Sequence, residues 1–322
     1  MTGRDRVEID EAAPTRSLRA RAWGHLRSDR GFWLGAAGLA VFVALAVIGP
    51  ALLAHDPNFQ YRSEGLTSTG APVGPSATFP LGTDRLGRDE LSRLVAAARL
   101  SLVVGLGATL LGTLFGVAVG AVAGFAGSPL IGLPGGWAVS VPVDSILMRA
   151  TDVMLALPPI MLALALAAVA GPSVGVVIVV VAATLWTSTA RIVYGRVASL
   201  GRSDFVEAAR ALGVGPGRLL GRHVLPHVLP IILVYGALGF AGAILIEATL
   251  SYLGIGIPVP ASSWGSMVAD NVNMFTSDPR LILLPGLAVL LTVASFTLLA
   301  DAVGEALDPR SWSAARTAGG LL

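Results

Sequence analysis

The chain has few of the residues on which catalytic, redox and metal chemistry depends. It contains no cysteine among its 322 residues, so disulfides, thiol nucleophiles and thiolate-ligated metal sites are excluded. Of its four histidines, His223 and His227 are four apart, but Pro226 lies between them and no third ligand is evident. No phosphate-binding P-loop and no Gly-x-Ser-x-Gly motif is present. We therefore expect neither a metal site nor a catalytic site.

Charge is also scarce. Charged residues make up 13% of the chain and hydrophobic residues 54%, whereas soluble domains are about a quarter charged. All 22 basic residues are arginines, and they do not cluster with aromatic residues, so nucleic-acid binding is not predicted. The composition is typical of a protein that crosses a membrane several times.

Long apolar runs predict where those crossings lie. The first run, 31–54, has no charge, is long enough to span ~30 Å of hydrocarbon, and exceeds the core of a signal peptide. Six membrane helices are predicted, at 31–54, 100–125, 146–170, 174–194, 231–255 and 281–299. The predicted fold class is an all-α membrane protein.

Arginine distribution predicts the orientation of these helices. Thirteen arginines fall in the segments assigned to the cytoplasm and five in those assigned to the outside, so both termini are predicted to be cytoplasmic. The predicted parts are a cytoplasmic tail (1–30), the first helix (31–54), an extracytoplasmic loop (55–98), a five-helix core (99–303) with a cytoplasmic loop at 201–228, and a cytoplasmic tail (304–322).

Several features inside the predicted spans suggest how the helices pack. Glycine recurs every fourth residue from 112 to 124, which predicts a close helix–helix contact. The pair at 158–159 is Pro-Pro and predicts a kink. Arg149 and Asp152 are three apart on one helical face and could pair with each other. Glu247 lies at membrane depth, where it is either a buried polar tie between helices or a contact with a transported substrate.

A polar break between the fourth and fifth spans, at 204–230, predicts a helix–turn–helix on one aqueous side. Helix formers cover 207–212, glycines and Pro216 then break the helix, and a second short helix is predicted at 218–224. Pro226 and Pro230 are expected to separate it from the next span. If the turn at Gly213 needs a positive φ, any side chain there costs roughly 1 kcal/mol. A plain amphipathic interfacial hairpin is the alternative.

This break resembles the loop beginning Glu-Ala-Ala that marks the permeases of importer-type ABC transporters. The positions that match the family's pattern are Glu207, Ala208, Ala209, Gly213, Leu225 and Pro226. His223 departs from the general pattern, which has isoleucine, but it resembles the dipeptide and oligopeptide branch. The sequences at 80–89, 247–256 and 307–309 resemble three further motifs of that branch.

The resemblance implies a type I ABC importer permease fold in a bacterial cell membrane, and transport of di- or oligopeptides. It also implies a homologous second permease subunit, two ATP-binding subunits that hold ATP and Mg²⁺, and an extracytoplasmic substrate-binding protein. The chain itself would need no cofactor, and the 204–226 loop would couple it to the ATPases. Alternatives are an importer of nickel or another small solute from the same branch and, from a different class, an ion-coupled secondary transporter.

Overall fold

The computed structural model of the chain describes residues 18–126, 130–132, 138–140 and 142–307, with side chains over 23–126 and 142–307. The first part of the predicted N-terminal tail, most of the 127–141 connection and the tail from 308 onward, with its 308–309 motif residues, lie outside the described residues. We call the end of the bundle that carries residues 55–89 the outer end, and the opposite end the inner end.

The described residues are almost entirely helical. The one sheet among them is a two-stranded antiparallel ribbon, β1 (Leu130–Gly132) with β2 (Ala138–Ser140). The α-helices are α1 (Leu18–Ser28), α2 (Arg30–Val47), α3 (Gly49–Leu52), α4 (Arg62–Gly65), α5 (Glu90–Ala126), α6 (Val143–Ala156), α7 (Pro159–Ala170), α8 (Val174–Leu200), α9 (Asp204–Ala211), α10 (Pro216–Leu219), α11 (Leu225–Tyr252), α12 (Trp264–Asn271) and α13 (Arg280–Leu307).

Five helices in the described part of the chain are long and apolar enough to cross a membrane, at positions that the apolar runs predict. The bent pair of α6 and α7 makes a sixth crossing if the two helices form one span. The two halves of this crossing meet at 90°. The prolines at 158 and 159 cannot donate backbone hydrogen bonds, so the predicted kink is a complete break in the helix.

Helix boundaries differ from the predicted ones because apolarity and helix formation do not begin at the same residue. Helix α5 begins at Glu90 instead of near 100, since its first turns carry charged side chains that are buried in an ionic cluster described below. Helices α8 and α13 extend to Leu200 and Leu307, beyond the ends of their apolar runs.

The glycine stripe of α5 packs directly on the backbone of α8, which confirms the prediction of a close contact. A Cβ added to Gly116 would lie 2.5 Å from the carbonyl oxygen of Trp186, and one added to Gly124 would lie 2.8 Å from that of Tyr194. Neither position leaves room for a side chain. Because lipid provides no hydrophobic drive between helices, this close backbone approach supplies packing energy that larger residues would prevent.

Three buried apolar clusters hold the bundle together from the outer end to the inner end. The outer cluster contains Trp264, and the centroid of its ring lies 5.5 Å from that of Phe42. The middle cluster joins α5, α7, α8 and α11. The inner cluster joins the end of α8 to the polar break that follows it, and so it positions the loop that the sequence singles out.

Candidate coupling loop and polar groups of the bundle

The coupling loop (residues 201–228) turns at a single glycine. Helix α9 ends at Ala211, and Gly213 has φ +79°. The turn is closed by backbone hydrogen bonds from Gly213 N to Arg210 O (3.0 Å) and from Val214 N to Ala209 O (3.1 Å). A non-glycine residue would be strained in this left-handed conformation. No other atom lies within 4 Å of a Cβ built on Gly213, so the constraint within this chain is conformational.

The face of the loop that packs against α8, called its inner face here, is held in place by apolar side chains. Val206 on α9 and Val224 in the following helix are each 0% exposed, and they pack with Val193 and Val197 of α8. Ala209 is partly buried against the same cluster. Such close packing makes the loop a rigid extension of the membrane helices.

The opposite face of α9, called its outer face here, is exposed. Glu207, Ala208 and Gly213 are exposed, and Leu212 is 85% exposed. Glu207 lies in the first turn of α9, where a carboxylate interacts favourably with the helix dipole. Leu212 and Glu207 are therefore both accessible to a partner protein.

The second half of the loop differs from the predicted structure. Pro226 and Pro230 do not separate a short helix from the fifth span, because helix continues from Pro216 to Tyr252. A π-helical turn at Leu220–Val224 accommodates Pro226: the N–H of Leu225 bonds to Leu220 O, five residues back. This wider turn removes the need for the N–H that Pro226 lacks. The loop is therefore continuous with a membrane-spanning helix.

Glu247 is buried in a polar contact between α11 and the segment that enters α12. Its side chain is 1% exposed and accepts a hydrogen bond from Ser251 Oγ at 2.7 Å. The hydroxyl of Ser263, which caps α12, donates to Ser251 Oγ at 3.3 Å. This geometry fits a polar tie between α11 and the segment that enters α12.

The predicted pairing of Arg149 with Asp152 is wrong. Asp152 pairs with Arg191 of α8 instead, and the two side chains are each 48% exposed. Arg149 is exposed and makes no ion pair within the described ranges. The three-residue spacing on α6 allowed the first pairing, but α8 runs alongside and presents a closer guanidinium. Sequence spacing within one helix cannot reveal such a partner.

A buried ionic cluster at the outer end is a feature that sequence reasoning did not predict as a whole. Arg88 Nε lies 2.7 Å from Asp84 Oδ2, and Arg93 Nη2 lies 3.3 Å from Asp270 Oδ2. Asp84 and Arg93 are 0% and 2% exposed. The structure buries Arg93 as a link between the 84–89 segment and α12.

Arg280, at the start of α13, makes a second link at the outer end. Its guanidinium donates hydrogen bonds to the backbone carbonyls of Leu81, Val73 (3.0 Å) and Thr83 (3.3 Å). It also forms an ion pair with Asp278 at 2.8 Å. One side chain thus fastens the loop before α5 to the last membrane helix.

The described helices have the type I ABC importer permease fold. A chain of the MetNI methionine ABC transporter, solved in inward-facing conformations, matches this structure with a TM-score of 0.53. The match covers 67% of this chain and 96% of that chain, at 18% sequence identity, and it supports the fold alone.

Sequence comparisons then identify the family. Residues 127–313 match the model of binding-protein-dependent transport system inner membrane components, and residues 17–67 match the N-terminal transmembrane domain of oligopeptide transport permease C. The chain belongs to the binding-protein-dependent transport system inner membrane component family, and it is a multi-pass membrane transport subunit.

Relatives match over nearly the whole chain. The dipeptide transport system permease protein DppC of Alkalihalophilus pseudofirmus is 34% identical, over 90% of this chain and 89% of its own length. The di/tripeptide transport system permease protein DppC of Pseudomonas aeruginosa is 34% identical, over 91% and 92%. The oligopeptide transport system permease protein OppC of Bacillus subtilis is 32% identical, over 91% and 90%.

Proposed function

We propose that this chain forms half of the translocation pathway of an ATP-driven importer of di- or oligopeptides in a bacterial cell membrane. The relatives' names support the peptide substrate. The observation that carries the coupling role is the loop at 201–228. It is packed on α8, continuous with α11, and exposed on the opposite face at Glu207 and Leu212.

The mechanism follows from the way the loop is attached. Two partner ATPases bind and hydrolyse ATP with Mg²⁺, and the exposed face of α9 docks in a groove on one of them. When the ATPases close, the loop moves as a rigid lever, since its inner face cannot slide over the close-packed α8. The lever rocks the helices of this chain against those of a homologous second permease subunit.

In the proposed orientation, this loop and both termini of the chain lie in the cytoplasm. The outer end then faces a substrate-binding protein, which delivers the peptide. The excess of arginine in the segments assigned to the inside supports this orientation. A cysteine placed at Gly70 should be labelled from outside, and one placed at Gly215 should be labelled only from the cytoplasmic side. Labelling of Gly215→Cys from outside would overturn both the orientation and the coupling role.

The substrate is tested in the assembled transporter. The chain is co-expressed with the subunits encoded beside it, reconstituted in liposomes with its binding protein, and assayed for uptake of a radiolabelled dipeptide. We expect uptake that requires ATP and is accompanied by peptide-stimulated ATP hydrolysis. Uptake of Ni²⁺ in place of the dipeptide would assign the related small-solute function, and uptake driven by an ion gradient without ATP would contradict the importer class.

A further inference from the structure

Glu90, the first residue of α5, has a buried side chain that pairs with nothing in the described part of the chain. The residue is 0% exposed, and neither of its carboxyl oxygens has a hydrogen-bond partner there. An ionised carboxylate in this position is costly, because the charge loses its water and gains no contact in return. Either a neighbouring cation matches the charge of Glu90, or the carboxyl group holds a proton.

The two nearest arginines already have aspartate partners. Arg88 and Arg93 each pair with both Asp84 and Asp270, and the four nitrogen–oxygen distances lie between 2.7 and 3.5 Å. These four side chains form a neutral set of two cations and two anions. Among the residues that the structure describes, no ion pair joins Glu90 to either arginine.

The third arginine of the outer end is matched as well. Arg280 pairs with Asp278 at 2.8 Å and donates its other hydrogen bonds to backbone carbonyls. Asp89, the residue before Glu90, accepts hydrogen bonds from the backbone N–H and the hydroxyl of Ser92, at 3.1 and 2.5 Å. Glu90 is therefore the carboxyl group that remains when the charges of the cluster are paired.

The start of α5 lies outside the hydrocarbon. The helix has 37 residues and is ~55 Å long at ~1.5 Å per residue, whereas ~30 Å is enough to cross the hydrocarbon. Glu90 comes ~15 Å before the uncharged run that begins at Leu100. Burial by protein, partly offset by the Arg93 guanidinium, raises the pKa of the Glu90 carboxyl from its ordinary value of 4.5 to about 8.

Charged groups of both signs face Glu90 from the elements packed around it. The nearest are Arg93 on its own helix, Asp84 and Arg88 of the preceding segment, and Arg280 of α13. The described cluster as a whole holds five carboxyl groups and three guanidinium groups, with His55 beside Asp89 at 3.7 Å: Asp84, Asp89, Glu90, Asp270 and Asp278 against Arg88, Arg93 and Arg280. This excess of acid favours proton uptake at the one carboxyl group that lacks a partner.

We propose that Glu90 holds a proton at neutral pH, and that this proton-binding site makes the outer end of the bundle sensitive to pH. A neutral carboxyl group fits the paired arginines and aspartates around it, and its O–H can donate to an acceptor nearby. Loss of the proton at higher pH puts an uncompensated charge beside Asp84. The 84–89 segment is then held less firmly against α12 and α13. The proposal depends on neither the peptide substrate nor the coupling to ATPases.

Glutamine tests the proposal because it resembles a protonated glutamate and does not titrate. Since the folded chain binds this proton more tightly than the unfolded chain, the stability that Glu90 contributes is complete below about pH 4.5 and is lost as pH rises through about 8. Thermal unfolding is measured for the complex with its partner subunits. Wild type and Glu90→Gln should unfold at the same temperature near about pH 6, and Glu90→Gln roughly 5 °C higher near about pH 9.

Glu64→Gln is the matched control, since Glu64 is an exposed acid of the same outer segment. It should follow the wild type at both pH values. If Glu90 is ionised instead, paired with Arg93 through water, then Glu90→Gln unfolds below the wild type at both pH values. That result would overturn the proposal, and so would an equal difference between the two proteins at both pH values.

Infrared difference spectra of the wild type give a second readout that does not depend on how Glu90→Gln folds. As pH rises over the same interval, the wild-type complex should lose the carbonyl band of a protonated carboxyl group. Glu64→Gln should lose the same band, and Glu90→Leu should lack it. An unchanged carbonyl region in the wild type would overturn the proposal, even if neither variant at position 90 assembles.

Discussion

The two ends of the bundle both use apolar packing, but they differ in where they place charged side chains. At the outer end, charged side chains point inward: Arg93 and Arg280 are fastened to Asp270 and to backbone carbonyls. At the inner end, apolar side chains point inward, and the charge of Glu207 points outward. Both arrangements give a rigid segment, but they leave different surfaces exposed.

This difference suggests different tasks for the two ends. Buried ion pairs are weak evidence for stability, yet breaking one of them is strongly destabilising, so the outer end is fixed in one arrangement. The inner end gains its rigidity from apolar packing and keeps polar and apolar groups available for a partner. We therefore expect substitutions at the outer end to unfold the chain, and substitutions on the outer face of α9 to leave it folded but uncoupled.

The largest effect is expected from breaking the outer ionic cluster. Arg93→Leu removes one of the two arginines that pair with Asp84 and Asp270, and it should lower the free energy of unfolding by about 3 kcal/mol, the low end for a broken buried ion pair. Thermal unfolding in detergent measures this loss. Arg99→Leu is the matched control, because Arg99 lies on the same helix but is exposed. Equal unfolding temperatures for the two variants would show that the cluster does not hold the outer end.

The second largest loss of stability is expected at Glu247, and it tests whether this side chain links α11 to the segment that enters α12. Glu247→Gln keeps a hydrogen-bond acceptor for Ser251 and should keep most transport. Glu247→Leu leaves the serine hydroxyls without their partner and should cost about 1–3 kcal/mol, with loss of assembly. Size-exclusion chromatography and dipeptide uptake measure both. A stable Glu247→Leu complex that fails only in transport would instead place Glu247 in the pathway.

A smaller loss of stability is expected from a substitution on the inner face of the loop, and it distinguishes that face from the outer one. Val206→Ala removes buried methyl groups and should cost about 1–2 kcal/mol of stability. Leu212→Ala, on the exposed face, should leave stability unchanged and weaken ATPase binding. Thermal unfolding and co-purification with the ATPases separate the two outcomes. Similar results from both variants would remove the distinction between a packing face and a docking face.

The smallest effect concerns the turn at Gly213. Asparagine tolerates positive φ better than β-branched residues, so Gly213→Asn should destabilise the loop less than Gly213→Val. The expected difference is roughly 1 kcal/mol in the stability of the loop. Hydrogen exchange of the amides in α9 measures it. Identical exchange rates in the two variants would show that the left-handed turn is not a constraint.

Sequence reasoning predicted the parts of this molecule that depend on local chemistry. Apolar runs predicted the five long membrane helices and the bent pair of α6 and α7, and the glycine spacing predicted the contact between α5 and α8. Each of these features is visible within one segment, because hydrocarbon thickness and helix periodicity act on every segment in the same way. The loop pattern likewise predicted a turn at Gly213.

The parts that sequence reasoning missed depend on partners distant along the chain. Asp152 pairs with Arg191 rather than Arg149, and Arg93 is buried because Asp270 lies opposite it. The continuity of helix through Pro226 depends on a π-turn, which only the backbone geometry reveals. The pattern at 84–93 is consistent with a capped amphipathic helix, but nothing local shows that its charged side chains at Glu90 and Arg93 are buried.

The central claim is that the exposed face of α9 couples this chain to the ATPases. The decisive measurement is co-purification of the ATPase subunits, together with peptide-stimulated ATP hydrolysis in liposomes, for wild type, Gly213→Asp, Glu207→Gln and Glu207→Lys. We predict that Gly213→Asp inserts in the membrane but loses both readouts, and that Glu207→Lys loses more ATPase than Glu207→Gln. Wild-type levels of both readouts in Gly213→Asp would mean that this loop is not the coupling element.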